Sequence, residues 1–242
     1  MKVRHALAAM RRLPVADLAT IAGGTVLVLA PHADDESLGC GGLIAEACRR
    51  GIPPFVLMLT DGAASHPGSA DYPPRRMTQI RAAEARRAVA LLGLPRDRIG
   101  FLALPDAAAP QQGPGFARAV ATIVARARAL GCTAIAAPWR HDPHCDHLAA
   151  HLMAREAAGR LGIRHLSYPV WGWLLPPDSE IDTSVTGFRL PVARHLPAKR
   201  RAIAAHRSQR GLVVRDSPAG FSLPAELLAV CNQPYEVLLT PA

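Results

Sequence analysis

The sequence predicts an α/β protein whose sheet is doubly wound and mostly parallel, with helices on both faces. Short apolar runs alternate with helical patterns along the first 170 residues, which is the order expected of βαβ units. The apolar runs are rich in Leu and β-branched residues and lack polar alternation, as in strands covered on both sides. The two observations predict one Rossmann-like domain over residues 1–242.

The elements of this fold can be placed from the apolar runs and the turns between them. The predicted parallel strands are residues 25–30, 55–60, 99–104, 134–138 and 165–170. The predicted intervening helices are residues 38–50, 75–92, 115–130 and 146–161. The pattern weakens after residue 172, where some antiparallel strands, such as 187–192, and a helix near 198–206 are expected toward the C-terminus. Residues 1–22 are predicted to be a helical extension, since Val3, Leu7 and Met10 share one helical face.

Composition restricts the classes of partner and compartment. The formal charge of +9 favours anionic partners, but the Arg residues stand in scattered pairs and aromatic residues reach only 5%. A nucleic-acid surface needs clustered basic residues with aromatic platforms, so no nucleic-acid partner is expected. The five Cys show no CxxC spacing, which predicts reduced thiols and a cytoplasmic location. No transmembrane segment is expected, and homo-oligomerisation is left open.

Two polar clusters lie directly after the first and fourth predicted strands. Residues 32–36 read HADDE, and residues 138–151 contain four of the ten histidines. In a sheet of order 3-2-1-4-5, the first and fourth strands are neighbours and the order reverses between them. Doubly wound proteins bind ligands at this switch point, past the carboxyl ends of the strands. Both clusters are therefore expected to meet in one site.

The residue types in these clusters are typical of a catalytic zinc site. Two His and one Asp are a usual set of zinc ligands, and we assign these roles to His32, Asp35 and His147; another divalent metal is an alternative. Asp34 diverges from its neighbour Asp35 and stays free to take a proton from water, whose pKa zinc lowers. His144 lies one helical turn before His147, where it would stabilise an oxyanion or transfer a proton.

Asp142 and Asp146 are predicted to support the ligands through hydrogen bonds to imidazole. Two neighbours are disfavoured as ligands. His151 follows His147 by four residues, but the Glu of an HExxH pair is missing; Cys145 would point away from the histidine face. The alternative for the whole cluster is structural, because Asp and Ser are good helix caps and the histidines would then be core or surface residues.

Several strings of the sequence occur in the same order in a known family. Residues 31–36 and 38–42 read PHADDE and LGCGG, and residues 144–147 read HCDH. Weaker strings follow the family order at residues 60–62 (TDG), 81–93 (RxxE to LG), 104–106 (LPD) and 199–209 (KxxAIxxHxSQ). Over residues 25–210 the chain thus resembles the PIG-L (LmbE-like) zinc-dependent N-deacetylases, whose motifs are HPDDE with a glycine-rich helix start and HPDH.

The resemblance implies the same ligand, base and assisting roles as the residue types do. It further implies that Arg81 and Asp106 contact a sugar, although Arg81 could equally be a salt-bridging helix residue. The implied reaction removes acetyl, or another N-acyl group, from an N-acetylglucosamine-type small molecule, glycolipid or other glycoconjugate, giving acetate and a free amine. Ala33 and Cys145 replace the prolines of the two motifs, which changes loop stiffness but removes no ligand.

The tryptophans after the fifth predicted strand and two alternative activities are also considered. Trp171 and Trp173 are predicted to line the substrate mouth, because tryptophan stacks on sugar faces; core packing is the alternative. The same fold acting on a non-sugar N-acyl substrate would be an amidase. The string LGCGG is also similar to the glycine-rich loop of S-adenosylmethionine-dependent methyltransferases, but such a loop should follow the first strand directly, and HADDE intervenes here.

Overall fold

The computed structural model of the protein describes residues 1–182 and 184–240. The helices in this part of the chain are α1 (Val3–Met10), α2 (Leu18–Ala22), α3 (Asp35–Arg49), α4 (Pro74–Leu91), α5 (Gly113–Ala129), α6 (Cys145–Leu161), α7 (Leu196–Ala205) and α8 (Ala225–Cys231). The strands are β1 (Val26–Ala30), β2 (Phe55–Thr60), β3 (Ile99–Leu104), β4 (Ala134–Pro138), β5 (Arg164–Tyr168), β6 (Gly187–Pro191) and β7 (Tyr235–Leu239).

Within the described residues, seven strands form one sheet in the order β3-β2-β1-β4-β5-β7-β6. The strands from β3 to β5 are parallel, and β7 runs antiparallel to β5 and β6. The predicted α/β class and the predicted order 3-2-1-4-5 are confirmed, and the predicted parallel strands end within two residues of the observed ones. The predicted antiparallel strand at 187–192 is β6, at the edge of the sheet.

Two elements near the C-terminus were not predicted. β7 inserts between β5 and β6, and α8 precedes it. The string of β7, YEVLL, is five residues long, and its Glu interrupts the apolar run that would mark a strand covered on both faces. The place of β7 in the sheet depends on its pairing with β5 and β6. A local sequence pattern does not predict such pairing between distant segments.

The two faces of the sheet are covered by separate apolar clusters. Along β1, Val26, Val28 and Ala30 belong to the cluster with residues of α3, α4 and α7. Leu27 and Leu29 point the opposite way, into the cluster with α5 and α6. Alternate side chains of a strand face opposite sides of the sheet, so both faces are apolar and both need helices.

The N-terminal segment contains two short helices, α1 and α2, and α1 packs on the rest of the fold. Val3, Leu7 and Met10 of α1 are buried in a cluster that also contains Trp139 and Val237. The helical face expected from the sequence is therefore the face that α1 buries.

The glycine string of residues 38–42 lies inside α3 and serves close packing. A Cβ added at Gly39 would lie 2.2 Å from Cδ2 of Tyr168, and one added at Gly42 would lie 2.4 Å from Cγ1 of Val192. The Tyr168 hydroxyl donates to the carbonyl oxygen of Leu29 at 2.6 Å, which fixes the ring that needs this space. A helix interior with these contacts is not a phosphate- or nucleotide-binding loop, so the methyltransferase interpretation loses its basis.

We predict that Gly39→Ala lowers the free energy of unfolding by about 1–3 kcal/mol, the usual cost of overpacking a core. The control is Gly159→Ala in α6, where an added Cβ meets nothing within 4 Å and helix propensity predicts a gain of up to about 1 kcal/mol. Urea unfolding of both variants measures the difference. Equal stability of the two variants would contradict the packing role of Gly39.

Candidate metal centre and active site

The chain order of the sheet brings the two polar clusters together. His32 and Asp34 follow β1 and lead into α3, which begins at Asp35, three residues earlier than predicted. His144 and His147 lie at the start of α6, directly after β4. Because β1 and β4 are parallel neighbours, the loops that follow them open at the same edge of the sheet, at its topological switch point.

His32, Asp35 and His147 converge on one point. Asp35 Oδ2 lies 3.2 Å from His32 Nδ1 and 3.2 Å from His147 Nε2. One ligand atom of each residue lies within 4.8 Å of the other two. All three side chains are buried, so the group forms a compact set of two imidazole nitrogens and one carboxylate oxygen.

His147 shows that this set fits a metal ion. Its Nδ1 lies 2.9 Å from Asp142 Oδ2, so the ring donates there, and in the neutral ring that binds a metal the lone pair is on Nε2. That Nε2 is buried and has no hydrogen-bond partner in the described part of the chain. Asp142 is itself fixed by the backbone N–H groups of residues 170–172, at 3.0, 3.0 and 2.7 Å. An oriented imidazole with a free inward nitrogen is the arrangement of metal-binding histidines.

His32 has a carboxylate partner of its own. Its Nε2 lies 3.1 Å from Asp146 Oδ2, which leaves Nδ1 toward Asp35. Asp146 accepts the backbone N–H groups of Ala107 and Ala109 at 2.8 and 2.9 Å. The structure thus places Asp142 and Asp146, predicted as supporting residues, each against a different histidine of the group.

A second donor set shares His32 but is less suited to metal. One ligand atom each of His32, His144 and Asp146 also lies within 4.8 Å of the others. However, both carboxylate oxygens of Asp146 accept backbone hydrogen bonds, and His144 Nδ1 accepts one from Asp146 N at 3.2 Å. The free nitrogen of His147 therefore favours the first set.

The electrostatics of the group favour positive charge at its centre. Burial alone would lower the pKa of His147, but the Asp35 and Asp142 carboxylates raise it to about 9. Burial alone would raise the pKa of Asp35, yet His147 and His32 hold it well below its usual range. The negative potential of these carboxylates, which raises the pKa of the buried histidine, would also attract a divalent cation.

Asp34 lies beside the group without belonging to it. Burial and the neighbouring Asp35 raise the pKa of Asp34 to about 6, while Arg81 opposes the shift. Arg81 NH2 stands 3.9 Å from Asp34 Oδ1, and among the described residues no hydrogen bond to this carboxylate is found. Adjacent Asp34 and Asp35 therefore differ in proton affinity, the usual sign of divided acid–base roles.

His144 is held as a hydrogen-bond donor toward the cavity. It is the N-cap of α6, and its Nδ1 accepts the backbone N–H of Asp146. The hydrogen of the neutral ring must then sit on Nε2. Burial, together with His32 and His147, lowers the pKa of His144, which favours this neutral form.

The group opens into a cavity of about 250 Å³ with two different walls. One wall is polar and includes His144, Arg81 and Asp106, the last two being the sugar contacts implied by resemblance. The other wall is apolar and includes Trp171 and Phe221, whose rings meet edge to face at 5.8 Å.

Arg81 and Asp106 face each other across the polar wall. Arg81 NH1 lies 3.8 Å from Asp106 Oδ2, and Arg81 also donates to the carbonyl oxygens of Gly62 and Ala33 at 3.3 Å each. Its Nε has no partner in the described part of the chain. Arg81 therefore both holds the loops and lies at the cavity wall.

Other residues considered from the sequence lie away from the metal group. His151 packs against His165, with ring centroids 4.8 Å apart, and its Nδ1 is 3.5 Å from Ser167 Oγ. Cys145 is exposed and its thiol donates to the carbonyl oxygen of Ala107. Trp173 packs with the N-terminal apolar cluster, whereas Trp171 lines the cavity. Of the two tryptophans, only Trp171 is placed to contact a ligand there.

Sequence comparison identifies the family. Residues 27–158 match the profile of the family described as PIG-L, GlcNAc-PI de-N-acetylase, and the match covers more than half of the chain. The chain belongs to the PIG-L family. The resemblance seen in its motifs is thereby confirmed.

Relatives of this PIG-L protein include two proteins named as deacetylases and one solved structure. The 2'-N-acetylparomamine deacetylase of Streptomyces fradiae is 30% identical over 60% of this chain and 56% of its own length. The diacetylchitobiose deacetylase of Thermococcus kodakarensis is 26% identical over 76% of this chain and 69% of its own length. The structure of a conserved protein from Thermus thermophilus is 25% identical, with a TM-score of 0.64, over 90% of this chain and 94% of that one.

The chain spans little more than half of the length of the paromamine relative, 56%. In the part of the chain that the structure describes, no helix has the length and apolar character to cross a membrane.

Sequence reasoning missed several residues of this PIG-L site. Phe221 lines the cavity from a segment in which no element was predicted. Gln209 lines it too, and His206 contacts Glu36 of the first motif at 2.9 Å. The string HxSQ at residues 206–209 resembles the family string, but a linear string does not show which distant side chain each residue contacts.

We predict that Asp142→Asn weakens zinc binding by about 10- to 100-fold, because the residue orients His147 from the far side of its ring. The control is Asp182→Asn, an exposed carboxylate that pairs with Arg140 on the surface. Competition with a chromophoric chelator measures both affinities, and circular dichroism checks folding. Equal zinc affinities for the two variants would show that Asp142 does not orient a ligand.

Proposed function

We propose that the protein is a metal-dependent N-deacetylase that hydrolyses the N-acetyl group of an amino sugar, giving acetate and a free amine. The observation that carries the proposal is the His32, Asp35 and His147 group beside the Asp34 carboxylate, which accepts no hydrogen bond among the described residues. His32, Asp34 and Asp35 line the cavity. The family match supports it, as do the two relatives, which are deacetylases of acetylated amino sugars by name.

Zinc is the metal we assign to the three proposed ligands, since two His and one Asp suit it. When bound, a zinc ion supplies Lewis acidity toward the amide carbonyl and lowers the pKa of a water molecule. His32 and His147 contribute oriented nitrogens, because Asp146 and Asp142 occupy their other ring positions. Other divalent metals remain alternatives to zinc at the same residues.

The proposed roles of Asp34 and His144 follow from their surroundings. Asp34 takes a proton from the attacking water, since its carboxylate is adjacent to the ligands yet unbonded. His144 donates its Nε2–H to the carbonyl oxygen as that oxygen becomes an oxyanion. Because the helix cap holds His144 Nδ1 as an acceptor, we assign the return of the proton to the leaving amine to Asp34 rather than to His144.

The two walls of the cavity suggest how an amino sugar is held. Arg81 and Asp106 offer donors and acceptors to hydroxyl groups, while Trp171 offers a ring face on which a sugar can stack. An amidase acting on a non-sugar N-acyl compound is the alternative, favoured by the apolar character of Trp171 and Phe221. A cytoplasmic location and a small-molecule or glycoconjugate substrate belong to the same proposal.

The main test measures acetate release from a panel of N-acetylglucosamine conjugates and simple N-acyl amides. We expect turnover of the sugars, loss of turnover with a chelator, and recovery with zinc. Turnover confined to the non-sugar amides would favour the amidase, and no turnover of either class would end the proposal.

We predict that Asp34→Asn lowers kcat by about 10²- to 10⁴-fold, the typical contribution of a general base, while bound zinc is retained. Asp178→Asn, an exposed carboxylate paired with Arg4, is the control and keeps wild-type kcat. Metal content is measured on the same samples. Near wild-type turnover by Asp34→Asn would assign the base to another residue.

We predict that Trp171→Ala raises KM for the best sugar substrate, whereas Trp173→Ala does not, because only Trp171 lines the cavity. Loss of one stacking contact corresponds to about 0.5–1.5 kcal/mol, or roughly a two- to tenfold change in KM. Steady-state kinetics of both variants measure this difference. An unchanged KM for Trp171→Ala would contradict sugar stacking.

A further inference from the structure

We propose that His206, acting through Glu36, is a positioning residue that holds the backbone of Asp34 in the geometry needed for proton transfer. The proposal rests on the function proposed above, in which Asp34 is the base. It assigns a role to a residue outside the segment 27–158 that matches the family profile.

A continuous chain of buried contacts joins His206 to Asp34. His206 Nε2 donates to Glu36 Oε1 at 2.9 Å. The other oxygen, Glu36 Oε2, accepts the backbone N–H of Asp34 at 3.0 Å. Ser37 Oγ donates to Glu36 Oε1 at 2.6 Å. Glu36, Ser37 and His206 are each 0% exposed, so water cannot replace a lost partner.

The backbone at Asp34 needs such a restraint. Asp34 has φ of 157° and ψ of −29°, a combination that residues with side chains rarely adopt. Such conformations persist only where surrounding contacts impose them. Because Asp34 lies between His32 and Asp35, rotation of its peptide would move the carboxylate relative to both.

His206 is also well placed to anchor Glu36. A buried carboxylate without a partner is costly, and His206 supplies the side-chain partner from outside α3. The segment that follows α7 is tied down by Glu84 of α4, which accepts the backbone N–H of Ser208 at 2.9 Å and its hydroxyl at 2.6 Å. The position of His206 is therefore set by two elements, α7 and α4.

The chain contains its own matched control. A second buried His–Glu pair joins α3 to the start of α7, with His195 Nε2 2.7 Å from Glu46 Oε2. This pair also joins a histidine to a glutamate of α3, and Glu46 additionally pairs with Arg49 and Arg50. It touches none of the proposed catalytic residues. A role in stability alone would leave the kcat of both histidine variants at the wild-type value.

The experiment compares His206→Ala with His195→Ala, in the full chain loaded with zinc. We expect His206→Ala to lower kcat by about 10- to 100-fold, the scale of a misplaced catalytic group, with KM and zinc affinity unchanged. His195→Ala should keep wild-type kcat and lose less thermal stability than His206→Ala, because Glu46 keeps Arg49 and Arg50 as partners. His206→Gln keeps a side-chain N–H donor and should recover part of the lost kcat; it also replaces the alanine variant if that fails to fold.

Three results would overturn the inference. They are equal kcat for the two alanine variants, a fall in kcat that follows a loss of zinc affinity, and no recovery by His206→Gln. Wild-type turnover is measured first. If wild type is active and His206→Ala is equally active, only this inference fails; if wild type has no deacetylase activity, the proposed function fails and the inference with it.

Discussion

The parallel pairing of β1 with β4 is the constraint on which the rest of the structure depends. Val26, Leu27 and Val28 pair in register with residues 134–136, although more than a hundred residues separate the two strands. That register brings the loop containing His32 to the start of α6. Without it, the histidines of the two loops would have no common centre and the buried carboxylates near them would repel one another.

Charge compensation explains why so many acids can share one buried region. Asp142 and Asp146 are satisfied by backbone N–H groups and by one histidine each. Asp35 lies between His32 and His147 and also accepts the backbone N–H of His32 at 2.9 Å. Asp34 accepts no hydrogen bond among the described residues and has only Arg81 nearby, at 3.9 Å. This difference in hydrogen bonding distinguishes Asp35, the proposed ligand, from Asp34, the proposed base.

The two motif positions that lack the family's proline are tolerated for local reasons. Cys145 is the first residue of α6, where proline is favoured because its φ suits a helix start and the missing N–H is not needed. Ala33 contributes its carbonyl oxygen to Arg81 at 3.3 Å, which any residue supplies. Replacing proline by Ala33 or by Cys145 makes the backbone less rigid at these two positions, but the contacts described above do not require proline.

The sequence by itself determined the layered architecture, the order of the five parallel strands and the residues that could bind a metal. These features depend on local periodicity and on a topological rule that places sites at the switch point. The tertiary structure alone decided the insertion of β7, the different surroundings of Trp171 and Trp173, and the contact between Glu36 and His206. Those depend on pairings between distant segments, where packing and burial select the partner and no local pattern records the choice.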